Sequence, residues 1–169
     1  MAASAALMPV EEYLALTSKP YCEYRDGVLR QKAMPTYKHG KMELRLGNLI
    51  NRLDCGFEAT PEQTVRLGER KYLVPDVAVQ RTAELQQPYP TKPIHLCVEV
   101  LSPEDRFSET IAKCEEYHAW GVPTCWVIDP EEKQAWEYRA GGRPHQIPSD
   151  GRIATDEISL SLADVFAGF

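Results

Sequence analysis

Two carboxylates draw attention because their neighbours are apolar. Asp76 lies in Tyr72-Leu-Val-Pro-Asp-Val-Ala-Val79, and Glu99 lies in Ile94-His-Leu-Cys-Val-Glu-Val-Leu-Ser102. Each stretch reads as a short strand, rich in Val, Ile, Leu and Tyr and bounded by turn residues. The second is nearly continuous in apolar residues, which predicts that both of its faces are covered. An acid in such a place is almost never fully buried unless something pairs with it. Side by side on adjacent strands, ~4 Å apart, the two would repel by about 4 kcal/mol at an effective dielectric of about 20. Without relief, one would stay protonated. A hard divalent cation, magnesium or manganese, gives that relief, because it takes one or two carboxylates plus water and a substrate phosphate. Such an ion polarises a phosphoryl oxygen and helps to generate hydroxide. The Val100 carbonyl is a further candidate ligand, and a nearby lysine would stabilise developing charge. The chemistry this points to is metal-dependent phosphodiester hydrolysis.

Three other features bear on that chemistry. Glu23 sits in Tyr21-Cys-Glu-Tyr-Arg-Asp-Gly-Val-Leu-Arg30, a hairpin signal whose Asp26-Gly27 pair tolerates the positive φ of a two-residue turn. It suits either an exposed strand position or the pocket. His39 falls on the inward stripe of a predicted helix over 37–54, where Met42, Leu46, Leu49, Ile50 and Leu53 recur at helical spacing and Gly56 supplies a stop. At ~100° per residue, Lys38, Lys41, Arg45 and Arg52 gather within ~60° on the adjoining face. That basic stripe reads either as a solvated flank or as a surface for nucleic-acid phosphates. His39 likewise reads either as a core histidine or as a pocket residue.

The elements that must hold these residues follow from the same patterns. A short helix is expected over Pro9 to Leu16, with acids in its first turn. After Gly56, strands are expected over Phe57 to Leu67, Tyr72 to Gln80 and Ile94 to Leu101, with a turn at Gly68–Lys71 and a loop from Thr82 to Pro93. Ser102-Pro-Glu-Asp105 resembles a helix start, with Ser as N-cap and Pro at N1. Phe107, Ile111, Cys114 and His118 would line the buried face of that helix, and Gly121 would end it. Strands follow at Thr124 to Pro130 and Gln134 to Arg139, and a short capped helix at Ser161 to Phe166. The predicted class is α/β (α+β): a mixed sheet flanked by helices after an N-terminal β-hairpin. The helix over 104–120 would cross over and return the chain parallel to an earlier strand.

Composition sets bounds on the class. The 169 residues are 43% hydrophobic and 26% charged, and suit one domain over 1–169 with a real core. No apolar run approaches the ~20 residues that cross a bilayer, and Met1 to Met8 lacks the basic start of a signal peptide. The cysteines are odd in number and without a C-x-x-C, which suits reduced thiols in a cytoplasmic protein and not a disulfide framework or zinc site. A net charge of −6 gives no global attraction to nucleic acid, so such a role would need a local basic patch and metal ions.

The ordered set of motifs resembles the PD-(D/E)XK nuclease superfamily, and more closely its Uma-type family of bacterial restriction endonucleases. The resemblance rests on Glu23 with Asp26-Gly27, His39, Pro75-Asp76-Val77 and Val98-Glu-Val-Leu-Ser-Pro103. It continues through Lys113 and Tyr117, then Gly121-Val-Pro123 leading into Trp126-Val-Ile-Asp-Pro130. It implies a restriction-endonuclease-like core of helix, three strands, helix and strand. It also implies a Mg2+- or Mn2+-dependent endonuclease acting on DNA, often as a homodimer. In that reading Asp76 and Glu99 bind the metal, Lys113 acts on the nucleophile or transition state, and Glu23 and His39 are further pocket residues.

The chain departs from the superfamily pattern at one point that matters. The position two residues after Glu99, where the superfamily carries lysine, holds Leu101. Lys113, on the following helix, matches the place to which the Uma-type lysine has moved. The family's aspartate one turn before it is Glu109 here. The broken E-x-K motif and the acidic net charge leave an alternative open, a weakly active or inactive nuclease-fold protein that binds nucleic acid or protein. A structural homo-oligomer whose acids are satisfied by hydrogen bonds is a third reading.

Overall fold

The computed structural model describes residues 7–17 and 22–169. The expected hairpin start at Tyr21 and the Met1 to Ala6 part of the amino-terminal stretch lie outside them. The chain opens with a short helix α1 (Val10–Leu14) and the hairpin β1 (Cys22–Arg25) and β2 (Val28–Gln31). Its turn is the expected one, with Asp26 at φ 51° and Gly27 at φ 93°. Helix α2 (Tyr37–Arg52) follows, capped by the Thr36 hydroxyl, which accepts from the His39 N–H. Next come β3 (Phe57–Pro61), β4 (Val65–Gly68), β5 (Lys71–Leu73), β6 (Val77–Arg81) and β7 (Leu96–Val100). Helix α3 (Phe107–Trp120) leads to β8 (Thr124–Asp129), β9 (Gln134–Arg139) and β10 (His145–Gln146). The small pair β11 (Arg152–Ala154) and β12 (Ser159–Ser161) precedes α4 (Leu162–Val165), whose cap is Ser161 as expected.

The main sheet runs β10-β9-β8-β7-β6-β3. All its pairs are antiparallel except β7 with β8, the pair that α3 joins by the expected crossover. Alternation along the strands divides the core. Val77, Val79, Leu96, Val98, Val100, Trp126 and Ile128 pack with Met42, Leu46 and Ile50 of α2. Ala78, Cys97, Cys125 and Val127 pack with Cys114 and Tyr117 of α3. Glu99 therefore shares the face that α3 covers.

The structure corrects two strands. The expected strand over Phe57 to Leu67 is β3 and β4, and the one over Tyr72 to Gln80 is β5 and β6. Together they form one long hairpin bent at its middle. β3 and β6 belong to the main sheet, while β4 and β5 join the amino-terminal hairpin in a second sheet ordered β2-β1-β5-β4. Pairing ends at Pro61↔Val77 and resumes at Val65↔Leu73. Pro75 has no N–H to give a ladder, and Glu62 turns the opposing strand with φ 51°. A single bond from the Glu62 N–H to the Asp76 carbonyl, 3.0 Å, spans the break. Residues 74–76 are thus freed from pairing at the point where the two sheets part.

Helix α3 also starts later than its sequence suggests. Ser102 does not cap it. Instead the Asp105 carboxylate accepts from the Ser102 N–H at 2.8 Å, and the Asp105 N–H donates to the Ser102 carbonyl at 2.9 Å. Ser102 to Asp105 is a closed turn, and Arg106 stands at the N-cap. Phe107, expected on the buried face, is 37% exposed and lies against Trp136 with ring centroids 4.7 Å apart. His118 is half-buried, with Nδ1 2.9 Å from the Val122 carbonyl. Gly121 ends the helix at φ 117°.

Candidate active site

The bend between the sheets and the late start of α3 leave a cleft of about 470 Å³ between them. Glu23, His39, Asp76, Glu99 and Lys113 all line it. Each acid arrives by a different route. Glu23 projects from β1 and Asp76 from the unpaired residues before β6. Glu99 comes from β7, where one step beyond the Val77↔Val98 pair brings it opposite Asp76. All three acids and His39 are buried.

Lys113 ties the site together. Its Nζ lies 2.9 Å from Glu99 Oε2 and 2.7 Å from Glu23 Oε1, and donates to the Val74 carbonyl at 3.1 Å. The Tyr117 hydroxyl, one turn along the same helix, donates to Glu99 Oε1 at 2.9 Å. The Val74 N–H donates to Glu23 Oε1, so both backbone groups released by the strand break are used here. Arg25 holds the second oxygen of Glu23 at 2.8 Å. Asp76 is held separately. Its Oδ2 accepts from the Val100 N–H at 2.6 Å and faces His39 Nε2 at 3.4 Å, and its Oδ1 is 2.6 Å from Lys32 Nζ. Val100, expected to offer its carbonyl, contributes its N–H to the site.

The charges divide unequally. Burial raises the Asp76 carboxyl, but Lys32 and His39 outweigh it and hold it well below the usual carboxylate range. Burial carries Glu99 up to about 7, with Lys113 opposing and Asp76 adding to the rise. Glu23 is lowered, because Lys113 and Arg25 overcome its burial. Burial would lower Lys113 and Lys32, yet Glu99 and Glu23 raise the first and Asp76 raises the second. Asp76 is the fixed anion of the cleft, and Glu99 is an acid that burial pushes up to about 7.

Several residues escaped the sequence reading. Lys32, just past β2, bridges Asp76 and Glu62 Oε1, the latter at 2.9 Å. Glu43, one helical turn beyond His39, lies 3.6 Å from His39 Nδ1 through its Oε1, and neither buried atom has a hydrogen bond. The helical i, i+4 relation to His39 was the available signal for Glu43. Burial, then Asp76, pushes the Glu43 carboxyl up to about 7. The stripe on α2 lies apart from the cleft, and none of its four cations lines it. Lys38 pairs with Glu131, Lys41 donates to the Gly168 carbonyl, and Arg45 donates to the Asp164 carbonyl at 3.0 Å. Arg52 is exposed.

A family model described as "Putative restriction endonuclease", Uma2, matches residues 10–168. The chain belongs to the Uma2 family. The fold also matches a crystal structure titled as a "putative nuclease belonging to DUF820" from Anabaena variabilis ATCC 29413. The TM-score is 0.79 at 22% sequence identity, covering 93% of this chain and 96% of that one. No curated protein matches significantly. The mixed sheet flanked by helices expected from the motifs is the fold of this Uma2 chain, and it is shared with that solved structure.

The donor set suits a divalent cation. One ligating atom each from His39, Glu43 and Asp76 falls within 4.8 Å of the others. Two of these residues carry the orphaned buried atoms, and Glu99, opposite Asp76 on the neighbouring strand, stands outside that group with its oxygens on Lys113 and Tyr117. Hard oxygen donors predominate, as magnesium and manganese prefer, and the imidazole favours manganese of the two.

Proposed function

We propose that this Uma2 protein is a metal-dependent endodeoxyribonuclease that hydrolyses phosphodiester bonds in DNA with Mg2+ or Mn2+. One observation carries the reading. The lysine absent two places after Glu99 is supplied by α3, and Lys113 reaches the same cleft as Asp76 and Glu99. Asp76 and Glu99 would hold the ion, which supplies Lewis-acid polarisation of a phosphoryl oxygen and a more acidic water.

The chain's own groups do the remaining work. Lys113 is fixed by Glu23, Glu99 and the Val74 carbonyl, so its ammonium is already in place when charge develops on the phosphorus oxygens. Tyr117 and the Val100 N–H hold the two metal-binding carboxylates from behind. Water would attack phosphorus and release a proton to solvent as the bond to the leaving oxygen breaks, and that oxygen would take a proton from solvent. Arg30 and Arg106 line the cleft and suit the flanking phosphates, with the Lys38, Lys41, Arg45 and Arg52 stripe further along the surface. One cleft cuts one strand at a time, and a homodimer would cut both strands in one encounter.

The test is cleavage of supercoiled plasmid in manganese by the wild type, Asp76→Ala and Lys113→Ala purified in parallel. Nicking or linearisation by the wild type alone supports the proposal. Equal cutting by all three would assign the activity to a contaminant.

A second reading has its own observation. Each of the three buried cleft acids already has a cationic partner, Asp76 with Lys32, Glu99 with Lys113 and Glu23 with Arg25. An inactive binding module would look the same. DNA retention at low salt without cleavage in any metal would select it.

A further inference from the structure

Lys32 is the cation that occupies the metal-binding position at Asp76. It follows β2 directly, and its side chain is 14% exposed. Its ammonium sits 2.6 Å from Asp76 Oδ1 and 2.9 Å from Glu62 Oε1. The other oxygen of Asp76 is engaged by the Val100 N–H and faced by His39. Oδ1 is therefore the oxygen of Asp76 that points at an exchangeable cation. Glu62 is placed there by the strand break, since its N–H bonds the Asp76 carbonyl. The arrangement is a built cation site with a tethered cation in it.

A divalent ion that takes Asp76 through Oδ1 must share or displace that ammonium, because two positive centres on one oxygen repel strongly where water is scarce. Lysine can move, being a point charge on a flexible four-carbon stem. A displaced ammonium left without an anion in this buried place is costly, so it needs a new anion within reach. The cleft that Lys32 lines is open to a phosphate of the bound strand.

We propose that Lys32 is a tethered counter-ion that competes with the divalent metal for Asp76 and is drawn off by a substrate phosphate, so that metal and nucleic acid load the cleft cooperatively. The proposal rests on the metal reading above. It makes the free protein a weak metal binder and the nucleic-acid complex a strong one. By reciprocity, metal strengthens nucleic-acid binding by the same factor.

The experiment measures Mn2+ affinity by loss of the free-ion EPR signal, with and without a fully phosphorothioate duplex that resists hydrolysis, and with the duplex alone as blank. In wild type, the duplex should tighten Mn2+ binding at least tenfold. In Lys32→Met, Mn2+ should bind at least tenfold more tightly without duplex, and the duplex should tighten it by a clearly smaller factor than in wild type. Lys32→Arg, which keeps the charge, should behave as wild type. Lys32→Gln should follow Lys32→Met, which separates the effect from packing of one side chain. Equal Mn2+ affinity in wild type and Lys32→Met, or equal coupling to the duplex in both, overturns the role of Lys32 and leaves the metal reading intact. Absence of Mn2+ binding in every folded sample, duplex present or not, overturns the metal reading and the Lys32 role with it.

Discussion

Lys113 and Glu99 stand fourteen positions apart in the chain, yet Lys113 Nζ meets Glu99 Oε2 at 2.9 Å. The pair joins the helix of the crossover to the strand it leaves. Lys113→Met should lower plasmid nicking by about 100-fold or more, the usual loss for one preorganised charge-stabilising group. It should also destabilise the fold, because Glu23 and Glu99 lose their shared cation. Breaking a buried pair costs about 3–5 kcal/mol, or roughly 6–20 °C in Tm for a chain of this size. Parallel plasmid assays and thermal melts check both. A variant that keeps full nicking activity would remove Lys113 from the chemistry.

Metal stabilisation tests the carboxylates without needing turnover. Saturation at about 100 times Kd adds about 2.7 kcal/mol, or roughly 5–10 °C in Tm. Wild type should show that rise with manganese. Asp76→Asn and Glu99→Gln should each lose most of it. A rise of the same size in all three proteins would place the ion elsewhere.

The metal-free protein should have a Tm that peaks at mildly acidic pH. Glu99 and Glu43 are carried by burial from 4.5 up to about 7, so between those values the folded chain keeps protons that the unfolded chain has released. Stability then falls as pH rises through that window. His39 adds to the fall, because Asp76 outweighs its burial and raises its pKa. Its contribution is complete below its unfolded value and is lost as pH climbs through the folded one. Asp76 and Glu23 act in the opposite sense. Both are held low, so their stabilisation is present above their unfolded values and is lost as pH falls through the folded ones. Manganese, which favours ionised Glu99, should flatten the decline towards pH 7 and above. Melts from pH 4 to 8 with EDTA and with manganese would show it, and a metal-free Tm that is flat or rising from 5 to 8 would contradict it.

Tyr117→Phe isolates one hydrogen bond. The hydroxyl donates to Glu99 Oε1 at a buried position and favours the ionised acid. A bond to a charged group is worth about 1.5–3 kcal/mol, so the pH midpoint for manganese binding should rise by roughly one to two units. Binding should weaken at pH 6 and change little well above the new midpoint. An unchanged midpoint, read by titrating manganese across pH, would show that the hydroxyl does not tune Glu99.

What the sequence revealed, and what it hid, has a physical pattern. Asp76 and Glu99 were legible because a charge inside an apolar strand is an anomaly that only pairing resolves. His39 was legible because helical periodicity placed it on the core side. Lys32 and Glu62 were not. Each sits beside a strand end in polar company, and nothing local tells a lysine that its partner lies 44 positions ahead. The split hairpin was hidden for a related reason. Val74 and Val77 continue the apolar run on either side of Pro75, and Pro75 alone signalled the break. That break supplies the Val74 carbonyl and N–H to the site, so the missed feature of the fold is also a missed part of the cleft.

The two groups of cations can be told apart by salt. Lys41 and Arg45 contact the carboxyl-terminal residues, with Lys41 4.5 Å and Arg45 5.9 Å from the Phe169 ring, and Lys38 is paired with Glu131. Phosphates would have to compete with those partners. Arg30 and Arg106 line the cleft, and Arg30 pairs with the exposed Glu109. Each phosphate contact contributes about 0.9 to the slope of log affinity against log salt. Arg30→Ala with Arg106→Ala should therefore reduce that slope by about 1–2. Lys41→Ala with Arg45→Ala should reduce it by less than half as much and lower Tm instead. Binding of a short duplex in calcium, measured by fluorescence anisotropy from 50 to 300 mM salt, separates the outcomes. A larger loss of slope from the α2 pair would move the nucleic-acid surface from the cleft mouth to the helix.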